Sequence, residues 1–148
     1  MRNLTIAGLL AAVLGVSFVG SAVADDAANI KCRQNHMKAL GAHLGALAAI
    51  AKGQAGSEKH AAGHAKAVAA IGAIIQDLYP ADSAMGETRA KAEIWSKPDD
   101  FKKVTMAFAA ASAKLGEAAG DLDAFKAAFG GVGKACGDCH KVFRAKAK

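Results

Sequence analysis

Proline is scarce in this chain, with 2 in 148 residues, Pro80 and Pro98. So few breakers leave room for long uninterrupted helices. Alternating apolar and polar positions built on β-branched residues are missing as well, so no strand is expected and the α/β and all-β classes drop out. The formal charge is only +6. No stretch is basic enough to argue for nucleic acid, and at most the charge suits acidic partners. Cysteine is limited to Cys32, Cys136 and Cys139. The number is odd, so at least one thiol stands outside any pairing.

A long hydrophobic run occurs once, from Leu4 to Val19 behind the basic start Met1-Arg2-Asn3. It is short for a bilayer span. It runs into Gly20-Ser21-Ala22-Val23-Ala24, which ends in an Ala-x-Ala pattern, and then Asp25-Asp26. This predicts a secretory signal peptide over residues 1–24, cleaved after Ala24, with no lasting membrane insertion. Residues 25–148 then form one domain, with the periplasm as its compartment.

That domain is rich in alanine and shows helical periodicity throughout. The first predicted helix runs from Asp26 to Lys52, with the apolar stripe Ile30, Met37, Leu40, Leu44, Leu47 and Ala51. Gly53 and Gly56 follow it as stop signals. The second runs from Ser57, a suitable N-cap, to Leu78, with Val68, Ile71, Ile74, Ile75 and Leu78 inward and Tyr79-Pro80 ending it. A connection over residues 81–97 follows, which Trp95 is expected to anchor. The third helix runs from Pro98 to Ala119, with Asp99 and Asp100 at its positive end and Phe101, Val104, Phe108 and Leu115 inward. The fourth starts from the N-cap Asp121 and reaches Ala145. Its stripe is Leu122, Phe125, Phe129, Val132, Cys136, Cys139 and Phe143, at helical spacings of three and four. Four helices joined in this way make an all-α, antiparallel up-down four-helix bundle.

The last stripe carries the chemistry. Cys136-Gly137-Asp138-Cys139-His140 is a Cys-x-x-Cys-His motif, the pattern of covalent c-type haem attachment. On a helix its cysteines and histidine lie at i, i+3 and i+4 and share one face. Two thiols can bond the haem vinyl groups, and the histidine can bind the iron axially. One haem c, held through Cys136 and Cys139 with His140 as proximal ligand, is therefore expected. A thioredoxin-like redox pair would follow a strand in a βαβ unit, and a structural zinc site would need a fourth ligand. With haem on two thiols, Cys32 is left over. It is expected to be a small buried apolar group, the alternative being an intermolecular bridge. Gly41, one turn past Met37, leaves room for a flat group or for tight helix packing. Met37 itself reads either as a core methionine or as an iron ligand, with His36 beside it as a competitor. His60 and His64, at i and i+4, are expected on a solvated face.

With these motifs in place, the chain resembles the class II c-type cytochromes, the cytochrome c′ family, which is itself a standard example of the up-down bundle. The likeness spans residues 25–148. It rests on the C-terminal Cys136-x-x-Cys139-His140 with Phe143-Arg144 behind it, and on Arg33-x-x-x-Met37-Lys38 in the first helix. The stretches Leu47-Ala48-Ala49-Ile50-Ala51-Lys52-Gly53 and Glu93-Ile94-Trp95 look more like the low-spin, methionine-ligated members. The resemblance implies that Met37 is the distal iron ligand and that Arg33 lies near a haem propionate. It also implies an electron carrier rather than an enzyme, serving redox partner proteins and free to form a homodimer. The alternative within the same family is a high-spin, five-coordinate protein that binds small gases such as nitric oxide at an open distal site.

Overall fold

A computed structural model describes residues 26–54 and 58–146. The predicted signal peptide, the Ser57 cap and Gly56 lie outside the described residues. Helix α1 spans Asp26–Ala51, α2 Ala61–Ala73, the short α3 Glu93–Ser96, α4 Pro98–Glu117 and α5 Leu122–Phe143. The long helices α1, α2, α4 and α5 close a ring in which α1 packs on α2, α2 on α4, α4 on α5 and α5 back on α1. Among the described residues there is no strand, only an isolated antiparallel bridge between Ala90 and Arg144. The expected four-helix bundle is the observed architecture.

Helix ends follow local chemistry. Gly53 adopts φ +65°. Its N–H donates to Ile50 O and that of Gln54 to Ala49 O, both at 2.9 Å. That pair of bonds is a Schellman closure of α1, and it needs the left-handed conformation glycine supplies. Asp121 caps α5 as expected, its Oδ1 accepting from the N–H groups of Asp123 and Ala124 at 3.0 and 2.9 Å. Pro98 opens α4, with Asp99 and Asp100 in its first turn.

The main core runs down the bundle axis through Leu40, Leu47, Val68, Phe108, Leu115, Phe125 and Val132. α2 and α4 approach closely at Gly72. A Cβ there would collide with Ser112 Oγ and stand 3.2 Å from Phe108. The inward surface of α4 is Phe101, Thr105, Phe108, Ser112 and Leu115, all buried. Thr105 and Ser112 turn their hydroxyls back to the carbonyls of Phe101, Lys102 and Ala109 of their own helix, which lets polar residues occupy core positions.

Several details depart from the sequence-based expectations. The α-helical part of α2 ends at Ala73, and Ile75–Leu78 continues as a 3₁₀ turn. The tighter winding shifts the phase, so Ile74 is 41% exposed while Ile75 is buried. Cys32 is exposed rather than buried. Arg33, in contrast, is 3% exposed and sits inside the protein.

The connection between α2 and α4 is held down at both ends. Trp95 Nε1–H donates to Pro80 O at 3.0 Å, as its anchoring role predicts. Farther along, Lys91 N–H donates to Phe143 O at 3.0 Å and Ala145 N–H to Arg89 O at 2.8 Å. The segment 89–91 thereby grips the end of α5, the helix that carries the Cys-x-x-Cys-His motif.

Candidate functional site

A cavity of about 570 Å³ opens between α1, the end of α5 and the 88–90 segment. Met37, Gly41 and Leu44 of α1 line one side, and Cys136, Cys139 and His140 of α5 the other. Phe101, Thr105 and Phe108 of α4, with Ile75 and Tyr79, form the inner wall. The structure thus brings Cys136, Cys139, His140, Met37 and Arg33 to one cavity. An added Cβ at Gly41 meets nothing within 4 Å, so this glycine borders open space rather than a tight helix contact.

Behind Cys139 lies an aromatic buttress. Ile94, Phe101 and Phe143 form a second buried cluster, packed with Tyr79, Trp95 and Cys139. Phe101 meets Tyr79 and Phe143 edge-on, at centroid distances of 4.9 and 5.2 Å. Edge-to-face packing fixes ring orientation, and so fixes the wall against which the α5 motif rests.

The electrostatics fit a neutral-nitrogen, protonated-thiol site. Burial raises the Cys136 thiol pKa, and burial together with Cys136 pushes Cys139 up to about 11. An activated dithiol would show the opposite shift, typically at a helix N-terminus; these thiols sit near the C-terminal end of α5. These shifts give the thiol redox reading no support. His140 has its pKa lowered, first by burial, then by the charges of Arg144 and Arg89. A neutral imidazole is the form that ligates a metal.

Among the described residues, the lining includes the cations Arg33, Lys38, Arg89 and Arg144 and no Asp or Glu. A mainly apolar cleft with two thiols, an imidazole and a set of cations suits a haem, whose two propionates carry the negative charge. Size agrees as well, since cofactor cavities commonly fall in the range of about 300–1,000 Å³.

Other candidates fall away from the cavity. His36 Nδ1 lies 2.9 Å from Cys32 O and 3.6 Å from Cys32 Sγ, so this histidine faces its own helix. His64 pairs not with His60 but with His43 of α1, the Nδ1 atoms 2.9 Å apart. Sequence reading missed this contact because the two positions are 21 residues apart. Among the described residues no group of three or more His, Cys, Asp or Glu is placed to hold a metal ion.

The family model described as "Cytochrome C'" matches residues 28–144. Cytochrome c′ of Pararhodospirillum photometricum is 39% identical over 120 residues, covering 79% of this chain and 96% of the relative. Cytochrome c-554 of Cereibacter sphaeroides is 36% identical over 123 residues, covering 79% and 80%. Among solved structures, the nitric oxide complex of a cytochrome c′ variant from Alcaligenes xylosoxidans superposes with a TM-score of 0.76 at 32% identity, covering 83% of this chain and 98% of that one. Fold, cavity and sequence agree: this chain belongs to the cytochrome c′ family and is a monohaem c-type cytochrome with covalently bound haem c.

Proposed function

We propose that this protein is an exported electron carrier whose haem iron is bound by His140 on the proximal side and Met37 on the distal side. One observation carries the reading. Met37 lines the same cavity as His140, from the facing helix, while its competitor His36 is turned toward Cys32. Bound there, the haem supplies a one-electron ferric–ferrous couple. Cys136 and Cys139 tether the group. His140 offers a neutral nitrogen, and the Met37 thioether offers a soft donor that favours the reduced metal and raises the potential. Leu40 and Phe108, both buried against the cavity, keep water from its inner wall. Two fixed donors on the neighbouring helices α1 and α5 keep structural rearrangement small as charge changes.

Export rests on the Met1–Ala24 pattern. Among the described residues no helix is long and apolar enough to cross a membrane. Redox proteins with acidic faces would suit the exposed Lys38, Arg89 and Arg144 at the cavity. A homodimer of the kind common in the family completes the reading.

Gas binding is the second reading, favoured by the likeness to the nitric oxide complex from Alcaligenes xylosoxidans. In it Met37 packs over the distal face without bonding. Absorption spectra of the wild type and Met37→Ala separate the two. The carrier reading expects a low-spin wild type with a methionine–iron charge-transfer band, little changed by carbon monoxide, and a high-spin Met37→Ala that takes it up. A high-spin wild type whose spectrum shifts with carbon monoxide would refute it.

A further inference from the structure

The family resemblance assigns a haem propionate to Arg33, but the hydrogen bonding of Arg33 leaves little of it to give. Its Nη1 donates to Ser83 Oγ at 2.7 Å and, more weakly, to Leu78 O at 3.5 Å. Its Nη2 donates to Ser83 O at 3.2 Å and to Thr88 Oγ1 at 3.0 Å. Each Nη carries two hydrogens, so the whole fork is engaged by the protein, and only Nε–H remains. The guanidinium also stacks on Tyr79, 4.8 Å from the ring centroid. Arg33 is a clamp between α1 and the 78–88 segment.

We propose that Thr88 and Arg89 form the cradle that receives a haem propionate. Thr88 Oγ1 accepts twice, from Arg33 Nη2 at 3.0 Å and from the Ala90 N–H at 3.1 Å. A hydroxyl has two acceptor lone pairs and one proton. Both lone pairs are engaged, so the remaining O–H must be donated, and Thr88 borders the cavity. Arg89 borders it too and is held at its base, where Nε–H donates to Ala145 O at 2.8 Å. Among the described residues, neither of its Nη groups is hydrogen-bonded. The result is an oriented guanidinium with a free two-pronged end, the geometry that binds a carboxylate bidentately.

The cradle is rigid because its parts brace one another. Ala145 N–H returns a bond to Arg89 O at 2.8 Å, so Arg89 is fixed to the residues just beyond His140. Arg33 in turn fixes the Thr88 hydroxyl. Among the described residues, no Asp or Glu borders the cavity to compete for these donors. The inference rests on haem c occupying this cavity and is independent of whether Met37 binds the iron.

The test uses the purified holoprotein and the variants Arg89→Gln, Arg89→Lys and Arg33→Gln. Resonance Raman spectroscopy reads the propionate bending vibration, which reports hydrogen bonds to that carboxylate, and potentiometry reads the midpoint potential. Arg89→Gln is expected to lower both the bending frequency and the potential, since removing a cation beside the haem favours the more positive ferric state. Arg89→Lys keeps the charge without the fork, so it retains most of the potential and loses the vibrational signature. Arg33→Gln loosens Thr88 but leaves the Arg89 fork in place, so it lowers the bending frequency less than Arg89→Gln does. Wild-type frequency and potential in Arg89→Gln, or a larger frequency shift in Arg33→Gln than in Arg89→Gln, would overturn the assignment. A high-spin wild-type spectrum would end the electron-carrier reading and leave this one standing.

Discussion

Replacing Arg33 with leucine removes a buried cation whose hydrogen-bond partners among the described residues are hydroxyls and carbonyls. Burial lowers the Arg33 pKa, with the Tyr79 charge acting weakly the other way, so placing the guanidinium there carries a desolvation cost of several kcal/mol. Against that stand its bonds to Ser83 Oγ, Ser83 O and Thr88 Oγ1, each worth about 1.5–3 kcal/mol for a charged donor, and its stacking on Tyr79. Leucine relieves the desolvation but strands the Ser83 carbonyl, at about 1–3 kcal/mol for a buried unpaired acceptor. It also gives up the cation–π contact, about 0.5–2 kcal/mol. With the relieved desolvation set against the lost hydrogen bonds, a net loss of about 1.5–5 kcal/mol follows. For a domain of this length that is roughly 5–20 °C in melting temperature. Guanidinium unfolding of the holoprotein, followed by far-ultraviolet circular dichroism, measures the loss, and native-state hydrogen exchange locates it. The Ser83 and Thr88 amides should exchange faster, with α4 and α5 unchanged. Arg33→Lys should do no better than leucine, because an ammonium keeps the burial cost and cannot span the same acceptors. Full stability in Arg33→Leu, with unchanged exchange over residues 78–88, would refute the clamp.

Gly72→Ala should destabilise the protein by about 1–3 kcal/mol, the usual cost of overpacking, because the new methyl collides with Ser112 Oγ and crowds Phe108. Phe108 also lines the haem cavity, so the Soret band should move as well; an unchanged melting temperature would show that α2 and α4 can separate at no cost. Burial pushes the Tyr79 phenol up to about 12, while an unfolded tyrosine ionises near pH 10. The folded state therefore keeps a proton the unfolded state has lost, and the resulting stability is fully present below about pH 10 and disappears as pH rises toward 12. Unfolding free energies over that window should fall more steeply in the wild type than in Tyr79→Phe, by at most about 1.4 kcal/mol per pH unit; parallel curves would contradict the shift.

What the sequence disclosed and what it concealed share one cause. The four long helices and their order were legible because apolar periodicity and capping residues are local signals, and Asp121, Gly53 and Pro98 act where they stand in the chain; the short α3 and the early end of α2 at Ala73 were not. The haem motif was legible for the same reason, since Cys136, Cys139 and His140 lie within one turn and on the core stripe. The concealed features are polar residues occupying apolar positions. In α1 the stripe read from apolar residues jumps seven positions from Ile30 to Met37, and the residue in the gap is Arg33. In α4 the buried set is Phe101, Thr105, Phe108, Ser112 and Leu115, a regular repeat in which threonine and serine replace the expected hydrophobes. A gap in a heptad thus marked a buried polar group in both helices. Cys32 lies beside the α1 stripe rather than on it, which is why it is exposed.

Long-range partners left no such trace. Nothing local links His43 to His64, or Arg89 to Ala145, because those pairings exist only once the helices are docked. In the connection over residues 81–97 the sequence marks only Trp95 as an anchor, yet the segment carries most of the polar organisation around the cavity. Ser83 and Thr88 receive Arg33, Arg89 and Lys91 hold the end of α5, and Trp95 closes onto Pro80. The helices supply a cavity with mainly apolar walls and the cation Lys38 of α1, but the charged edge of a haem also calls for oriented hydrogen-bond donors. That edge needs donors fixed at the mouth, and a segment pinned to both α1 and α5 supplies them without interrupting either helix. A c-type cytochrome on this scaffold depends on its longest connection as much as on its attachment motif.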